Sequence, residues 1–417
     1  MIRPSLPGSS TPSRVARNLA FDFLAAVGVG VTAALITTLL PTVARRIGVE
    51  PLGLAALAAA PFVANLLGVF AGRLGPRSSL QLAIVRGLGA ASLLVLFVVP
   101  SAPVMILVSV AFWLSLSLGG PFHLRLWGSM YPARMRGRVV GVLGMGRAAA
   151  GALAAFGGGV VADRIGGPSA VALAGVVGVT CAIGYVGLRA ESTQRPRPFS
   201  ARDSLRALRE RPVLGRVALA QGFYGGGLIA AAPLYALVNV DRLNLSLGDV
   251  GIIGILTAVA TTIAFLGWGA LADRRGGLVA MRLGSAVGLV SLVAYALAPH
   301  VTVLWVAAVA SGIGSASIEL GIASIVSDQT PLASRAAAMA GWNAITGARG
   351  ILAAFLMSAL LQVGLVDVTT GLLLCAAVSA IGVVLFARIN ADLPADVRET
   401  VSEGVTRSPR RTLAPTG

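Results

Sequence analysis

Five ionisable side chains lie inside long apolar segments of this chain, and they define the chemistry that it could perform. Two are carboxylates, Asp22 and Glu319, and three are guanidinium groups, Arg86, Arg147 and Arg349. A charge inside a lipid bilayer is costly, so such residues tend to mark ion pairs, proton sites or contacts with a charged solute. The set therefore indicates proton or solute binding rather than covalent catalysis.

Glu319 and Arg349 are predicted to form a pair. Glu319 lies 12 residues before Pro331 and Arg349 lies 14 residues after Arg335, which places them about 18 Å and about 21 Å along their helices. Consecutive helices usually pack side by side, so these similar depths allow contact. Two interpretations stay open: a structural pair, or a switch in which protonated Glu319 frees Arg349 to move or to bind an anion.

The other three charges have less obvious partners. Asp22 is expected near the end of the first segment, within reach of water or Arg17, either as an interfacial residue or as a second protonatable carboxylate. Arg147 has no carboxylate at its depth in the first half of the chain, and Arg86 is expected to extend to the membrane interface. The excess of arginines over carboxylates favours a substrate with an anionic or electron-rich group.

Enzymatic chemistry has no support in the sequence. No phosphate-binding loop, Ser-His-Asp pattern or zinc spacing occurs, and His123 and His300 are too far apart, with too few carboxylates nearby, to predict a metal site. Cys181 and Cys375 have apolar neighbours and are interpreted as small buried hydrophobic residues. We expect no cofactor, no metal and no enzymatic activity.

The elements that carry these residues must cross a membrane. With 56% hydrophobic residues, 12% charged residues and a mean hydropathy of +0.86, the chain would leave apolar surface in water if it folded around a soluble core. The net charge of +17 is therefore attributed to the membrane and not to nucleic acid. Polar breaks divide the chain into twelve segments near the length of about 20 residues that a bilayer requires: 19–41, 52–72, 79–99, 103–127, 138–161, 169–189, 213–238, 249–272, 278–298, 301–326, 336–361 and 369–388.

The chain also repeats itself. Tyr131-Pro132-Ala133-Arg134-Met135-Arg136 follows the fourth segment, and Thr330-Pro331-Leu332-Ala333-Ser334-Arg335 follows the tenth. A six-segment plan used twice is typical of secondary transporters. We predict an all-helical membrane protein with a first half at 19–189 and a second half at 213–388. Residues 1–18, the linker 190–212 and a disordered tail 389–417 flank these halves, and the linker is either an interfacial helix held on anionic lipid or a solvated basic loop.

The distribution of arginines predicts the orientation. Arginines collect in the termini, the central linker and alternate loops, whereas the intervening loops hold only Arg45, Arg46, Arg164 and Arg242. By the positive-inside rule both termini are cytoplasmic, and we expect the protein in a bacterial plasma membrane. The first segment is long and lacks a clear cleavage site, so it is expected to be retained.

Gly269-Ala270-Leu271-Ala272-Asp273-Arg274-Arg275-Gly276-Gly277 resembles the cytoplasmic signature loop of the major facilitator superfamily. With twelve segments in two halves, the resemblance covers nearly the whole chain. It implies a cytoplasmic gate formed by Asp273, Arg274 and Gly276, in which the Asp273 carboxylate accepts hydrogen bonds from a helix amino terminus across the seam between the halves. We expect Asp273 to face Arg136 and Arg138.

Two related sequences depart from this pattern. In the loop after the second segment, Gly72 stands where the superfamily has its aspartate, so the main gate is assigned to Asp273. Ala162-Asp163-Arg164-Ile165-Gly166-Gly167 is locally similar. Because it lies on the other side of the membrane, it is interpreted as an ordinary turn.

The resemblance further implies that the first, fourth, seventh and tenth segments line a central cavity. Gln221 and Tyr224 are three residues apart and are expected to share a face that holds a substrate. The polar residues that these segments offer are Thr32, Thr37, Ser115, Ser117, Gln221, Tyr224, Tyr235, Ser315 and Glu319. Drug/proton antiporters of the superfamily carry a basic residue early in the fourth segment and a Gly-Pro pair in the fifth, and this chain has neither.

These observations predict a monomeric transporter of a small organic solute that works by alternating access in membrane lipid. We expect it to be coupled to protons through Glu319 and Asp22, and to act as an exporting antiporter. An uptake symporter, an uncoupled facilitator and a non-transporting receptor or assembly partner are the alternatives.

Overall fold

The computed structural model describes residues 12–68, 75–189, 201–331 and 334–389, and every regular element within these ranges is helical. The predictions for the first residues, for Gly72 and for the tail after residue 389 fall outside the described residues. The helices are α1 Pro12–Thr38, α2 Leu40–Arg46, α3 Pro51–Leu67, α4 Ser79–Ala91, α5 Ala102–Met130, α6 Ala133–Ile165, α7 Gly167–Val186, α8 Ala201–Arg209, α9 Pro212–Leu237, α10 Leu247–Arg275, α11 Gly277–Leu297, α12 Val301–Gln329, α13 Arg335–Gln362 and α14 Val368–Arg388.

The all-helical membrane fold is confirmed. In the described part of the chain, 11 helical stretches are long and apolar enough to cross a membrane, and α3 is a shorter apolar helix. The first predicted segment comprises α1 and α2, and the third continues from α4 into a 3-10 helix, Ser92–Phe97. The other predicted segments correspond to single helices, with a π-helical turn, Val238–Arg242, following α9.

The linker contains the short helix α8, which packs against the second half. Ala207 and Leu208 share an apolar cluster with Trp342 of α13, and Gly341 lies against the backbone of Ser204. Arg206 and Arg209 remain exposed on the other side of the helix. α8 is therefore an amphipathic helix, as one of the two interpretations expected, but its apolar face is buried in protein.

Successive long helices alternate in direction, so their ends lie on two faces. We call the linker face the one that carries α8 and the beginnings of α1 and α6. The opposite face carries α2 and the beginning of α10. α6 and α10 pack together although they belong to different halves, and because they are antiparallel, α6 ends beside the beginning of α10.

The apolar cores of the two halves are joined at the opposite face. One cluster there combines Leu39 and Val43 of the first half with Leu234, Leu237 and Leu247 of the second. Toward the linker face, one cluster around Phe122 and Leu126 belongs to the first half, and another around Leu214 and Phe386 belongs to the second. The halves are thus closed together at the opposite face and have separate cores at the linker face.

The contacts at the glycines of α6 and α10 also differ between the two faces. A Cβ atom on Gly159 would lie 2.3 Å from the carbonyl oxygen of Leu247, and one on Gly251 would lie 2.6 Å from that of Ala155. Near the linker face, Cβ atoms on Gly141, Gly144 or Gly267 would meet no atom of a neighbouring element within 4 Å. The seam between the halves is therefore tight near the opposite face and open near the linker face.

Candidate functional site

The centre of the candidate site is Asp22 of α1, whose carboxylate is bound by two side chains of α5 and by Tyr131, the residue that directly follows α5. His123 Nε2 lies 2.7 Å from Oδ1, Trp127 Nε1 donates to Oδ2 at 2.6 Å, and the Tyr131 hydroxyl donates to Oδ2 at 3.2 Å. The three partners are four residues apart, so they share one face of the helix. Asp22 is fully buried, and Arg17 instead donates to the carbonyl of Gly187. The expectation that water or Arg17 reaches Asp22 is wrong.

His123 connects this carboxylate to the third helix of the site, α7. Its ring packs edge-on against Tyr185, with centroids 5.2 Å apart, and lies 4.8 Å from the Trp127 ring. From the sequence, His123 was weighed only as a metal ligand, and its pairing with Asp22 was not predicted. The available signal was the spacing of His123, Trp127 and Tyr131, together with a single carboxylate at similar depth on α1.

Arg86 of α4 lies on the other side of Tyr185 and does not reach the membrane interface. Its side chain covers Gly119 of α5, where a Cβ atom would come within 3.0 Å of Nε. Nε and Nη1 are buried and have no hydrogen-bond partner among the described residues. They border a cavity, shared with Thr32, Ser115 and Tyr185, that has room for about one water molecule. The predicted extension to the interface is therefore wrong, because Gly119 leaves space for the guanidinium inside the bundle.

The predicted pair of Glu319 and Arg349 does not form in this conformation. Arg349 Nη1 donates to the backbone carbonyl of Gln221 at 2.5 Å, and its Nε has no described partner. Glu319 is exposed and makes no hydrogen bond or ion pair with the described residues. Equal depth along two helices was insufficient to predict an ion pair, because the sequence does not give the direction in which each side chain points.

Glu319 and Ser315 share the side of α12 that faces away from α11. Gly314 and Gly321 are the close contacts of α12 with α11, at Gly288 and Met281 respectively. At 3.6 residues per turn, Ser315 and Glu319 point roughly to the other side of the helix, and both are exposed. Arg147 of α6 is exposed as well.

Several predicted cavity residues are buried within one half instead. Tyr224 is 1% exposed, with its hydroxyl against Gly288 and Gly314 and its backbone against Gly382. Tyr235 stacks on Tyr295 with ring centroids 4.0 Å apart. Tyr224 has a packing role, because glycines on neighbouring helices make room for it, and the partly buried Tyr235 packs against Tyr295.

Ser115, Thr32 and Gln221 are also buried, whereas Thr37 is exposed and Ser117 is partly exposed. Ser115 donates to the carbonyl of Phe112 beside the Arg86 cavity, and Thr32 donates to the carbonyls of Gly28 and Ala174. Gln221 is buried, and its side-chain oxygen has no described partner. The predicted substrate-holding face of Gln221 and Tyr224 is therefore not presented to a cavity here.

The predicted gate at the linker face is not engaged. Asp273 and Arg274 are exposed, and Asp273 makes no hydrogen bond or ion pair with a described residue. Arg138 is exposed, and the side chain of Arg136 lies outside the described residues. Gly276 ends α10 with φ 83°, a left-handed conformation that favours glycine.

The similar sequence around Asp163, interpreted as an ordinary turn, makes the contact that was predicted for Asp273. Asp163 Oδ1 accepts from the backbone N–H of Leu247 at 2.9 Å, and Oδ2 accepts from that of Gly248 at 2.8 Å. These groups form the amino terminus of α10, so the bonds join the two halves. The prediction of an ordinary turn is wrong, because α10 begins beside the end of α6.

Two further polar contacts cross the seam at the opposite face. Arg45 of α2 pairs with Asp241, with Nη2 and Oδ2 2.9 Å apart. The Gln362 side chain of α13 donates to Glu50 and accepts from the backbone N–H of Leu52. Together with Asp163, these contacts hold the opposite face closed.

Comparisons with known proteins agree with this architecture. The family model described as Major Facilitator Superfamily matches residues 23–301 and 217–414. No curated protein matches the chain.

Solved transporters share the fold at low sequence identity. A variant of the nucleoside transporter NupG has a TM-score of 0.71 at 14% identity, covering 89% of this chain and 98% of that chain. The peptide transporter POT, solved with sulfate, has a TM-score of 0.68 at 13% identity, covering 93% and 94%. An inward-facing, unoccupied bacterial homologue of the human lysosomal transporter Spinster has a TM-score of 0.61 at 16% identity, covering 91% and 95%. The chain therefore belongs to the major facilitator superfamily, and it is an integral membrane transporter rather than an enzyme.

Proposed function

We propose that this protein is a proton-coupled transporter of a small organic solute, with Asp22 and His123 as its proton site. The observation that carries the proposal is a fully buried carboxylate whose partners include a histidine 2.7 Å away. Histidine gains and loses a proton near neutral pH, and a carboxylate beside it can share that proton. The Asp22–His123 pair could therefore take up or release one proton inside the helix bundle, which would change the net charge of the pair by one.

The position of the pair supports coupling to movement. Asp22 lies on α1 and His123 on α5, so a change in their protonation alters the contact between two helices of the same half. Trp127 and Tyr131 hold the carboxylate while it is charged, because each donates one hydrogen bond to Oδ2. Protonation of Asp22 would weaken these bonds and release α1 from α5.

Glu319 is proposed as the second proton-binding group. It is exposed on the side of α12 away from α11, and we place that side at the central cavity with Ser315. Arg147 and Arg349 are proposed as contacts for an anionic or electron-rich part of the substrate. We further propose export as the direction, the linker face as the cytoplasmic face because most loop arginines lie there, and a monomer in a bacterial plasma membrane.

The experiment measures proton movement in proteoliposomes. Internal pH is followed under an imposed proton gradient while pooled amphiphilic and anionic solutes are added. We expect solute-evoked proton movement in the wild-type protein, its loss in Asp22→Asn and Glu319→Gln, and its persistence in Glu210→Gln. Glu210 is the matched control because its carboxylate, paired with Arg206, is exposed in the linker.

The alternatives give different results. Radiolabelled solute exchange without proton movement would identify an uncoupled facilitator, and neither activity would favour a receptor or assembly partner. If Asp22→Asn retains full coupling, Asp22 and His123 are not the proton site. The direction of the proton movement relative to solute uptake distinguishes an antiporter from a symporter.

A further inference from the structure

The sequence that resembles the signature loop of the superfamily, called here the signature-like sequence, occurs twice, at the ends of two helices that pack against each other. Gly159–Gly167 ends α6 and Gly269–Gly277 ends α10, and the two stretches are identical at six of nine positions, including the Asp-Arg pair and the final two glycines. Gly166 and Gly276 end their helices with φ 91° and 83°. The two aspartates thus lie in the same local structure at opposite faces of one antiparallel helix pair.

Only one of the two aspartates, within the described residues, is bound to the partner helix. Asp163 accepts two backbone N–H groups at the amino terminus of α10, at 2.9 and 2.8 Å, whereas Asp273 is exposed. A carboxylate at a helix amino terminus satisfies N–H groups that have no partner within the helix and meets the positive end of the helix dipole. The engaged aspartate lies at the closed face and the free one at the open face.

We infer that Asp163 is a gating residue of the opposite face, and that its bonds to Leu247 and Gly248 must break before this face can open. The backbone fits this role, because a Cβ on Gly248 would lie 3.2 Å from Oδ2 of Asp163. Ser246 and Asp249 form a capping box at the same helix end. Some backbone N–H groups at the amino terminus of α10 therefore stay hydrogen-bonded after Asp163 is released. The inference rests on alternating access and not on the proposed substrate or proton site.

Asp163 is better suited to hold the seam than the neighbouring ion pair. The side chains of Arg45 and Asp241 are 26% and 44% exposed and that of Asp163 is 35% exposed, so exposure does not separate them. The difference is that Asp163 binds two fixed backbone N–H groups, whereas an exposed pair of flexible side chains contributes little to stability. Arg46 lies 3.9 Å from Asp163, on the same half, and also donates to the carbonyl of Leu245 on the other half. Arg46 therefore supports the position of Asp163 without replacing its backbone contacts.

The test measures the reactivity of single reporter cysteines in purified protein in lipid nanodiscs. Thr38→Cys reports on the opposite face, because Thr38 lies against Gly254 of the other half. Met145→Cys reports on opening toward the linker face, because Met145 lies 12 residues into α6, about 18 Å from its beginning at that face, and its side chain is 59% exposed. The native Cys181 and Cys375 are buried, and their background is measured without a reporter. A water-soluble thiol reagent is used, with Arg164→Ala as the control because Arg164 is the exposed neighbour of Asp163.

We expect Asp163→Ala to speed labelling at Thr38→Cys about tenfold or more and to slow labelling at Met145→Cys. Asp163→Asn keeps one acceptor oxygen without the charge, so it should give an intermediate rate, and Arg164→Ala should match the parent. Unchanged labelling at Thr38→Cys in both Asp163 variants would overturn the inference. Faster labelling at both reporters together would also overturn it, because that result indicates general loosening rather than a change of face.

Discussion

Adding a single methyl group at Gly251 should shift the protein away from the conformation described above. A Cβ there would lie 2.6 Å from the carbonyl oxygen of Ala155 and 3.1 Å from the Cα of Phe156. Both atoms belong to the backbone of α6, so no side-chain rotation can relieve the contact. Gly251→Ala therefore disfavours the closed seam at the opposite face.

The size of the effect follows from the cost of overpacking. Inserting a methyl group into a tightly packed contact costs about 1–3 kcal/mol, and about 1.4 kcal/mol corresponds to a tenfold change in an equilibrium. The closed form should lose roughly 5- to 150-fold in population relative to the form in which this seam is open. The higher helix propensity of alanine is present in both forms, so it cancels in this comparison.

The assay is a pulsed electron-resonance distance measurement between spin labels at Val98 and Leu365. These residues lie in opposite-face loops of the two halves and are 81% and 71% exposed. Gly251→Ala should add a population with a longer distance, whereas Gly141→Ala, where a Cβ meets nothing within 4 Å, should not. A folded Gly251→Ala protein with the parental distance distribution would refute the steric reasoning.

Three further outcomes are expected. Trp127→Phe removes one donor from the buried Asp22, which should lower the free energy of unfolding by about 1.5–3 kcal/mol, and a melting temperature equal to that of the parent would argue against a stabilising role of this hydrogen bond. Gly288→Ala places a Cβ 2.1 Å from the Tyr224 hydroxyl and should destabilise by about 1–3 kcal/mol, with partial recovery in the double variant with Tyr224→Phe, measured by thermal melting. Asp273→Asn should speed cysteine labelling at the linker face if Asp273 closes that face in the other conformation, and an unchanged rate would remove it from the gate.

The sequence predicted the helices better than the site, for identifiable reasons. Segment length and polarity define a membrane helix locally, so the all-helical fold followed from composition and spacing. The partners of Asp22 depend on how α1 is rotated against α5, and hydropathy carries no information about that rotation. His123, Trp127 and Tyr131 could have been grouped by their spacing, but their shared partner could not.

The two signature-like sequences also show that sequence does not reveal how helices of the two halves lie against each other. The sequence around Asp163 matches that around Asp273, but its position on the other side of the membrane led to the prediction of an ordinary turn. Its contact depends on α6 and α10 lying antiparallel across the seam, a relation between the two halves that appears only in three dimensions. The Glu319–Arg349 prediction was wrong for a related reason, because equal depth fixes neither the rotation of a helix nor the conformation of a side chain.

The shared apolar cluster at the opposite face makes the balance between the two conformations dependent on temperature. Leu39, Val43, Leu234 and Leu247 are almost fully buried in that cluster, and opening the face would expose such groups to water. Burial of apolar surface is accompanied by a large heat-capacity change, and its contribution weakens on cooling. Cooling should therefore weaken the contribution of this apolar cluster to the closure of the opposite face.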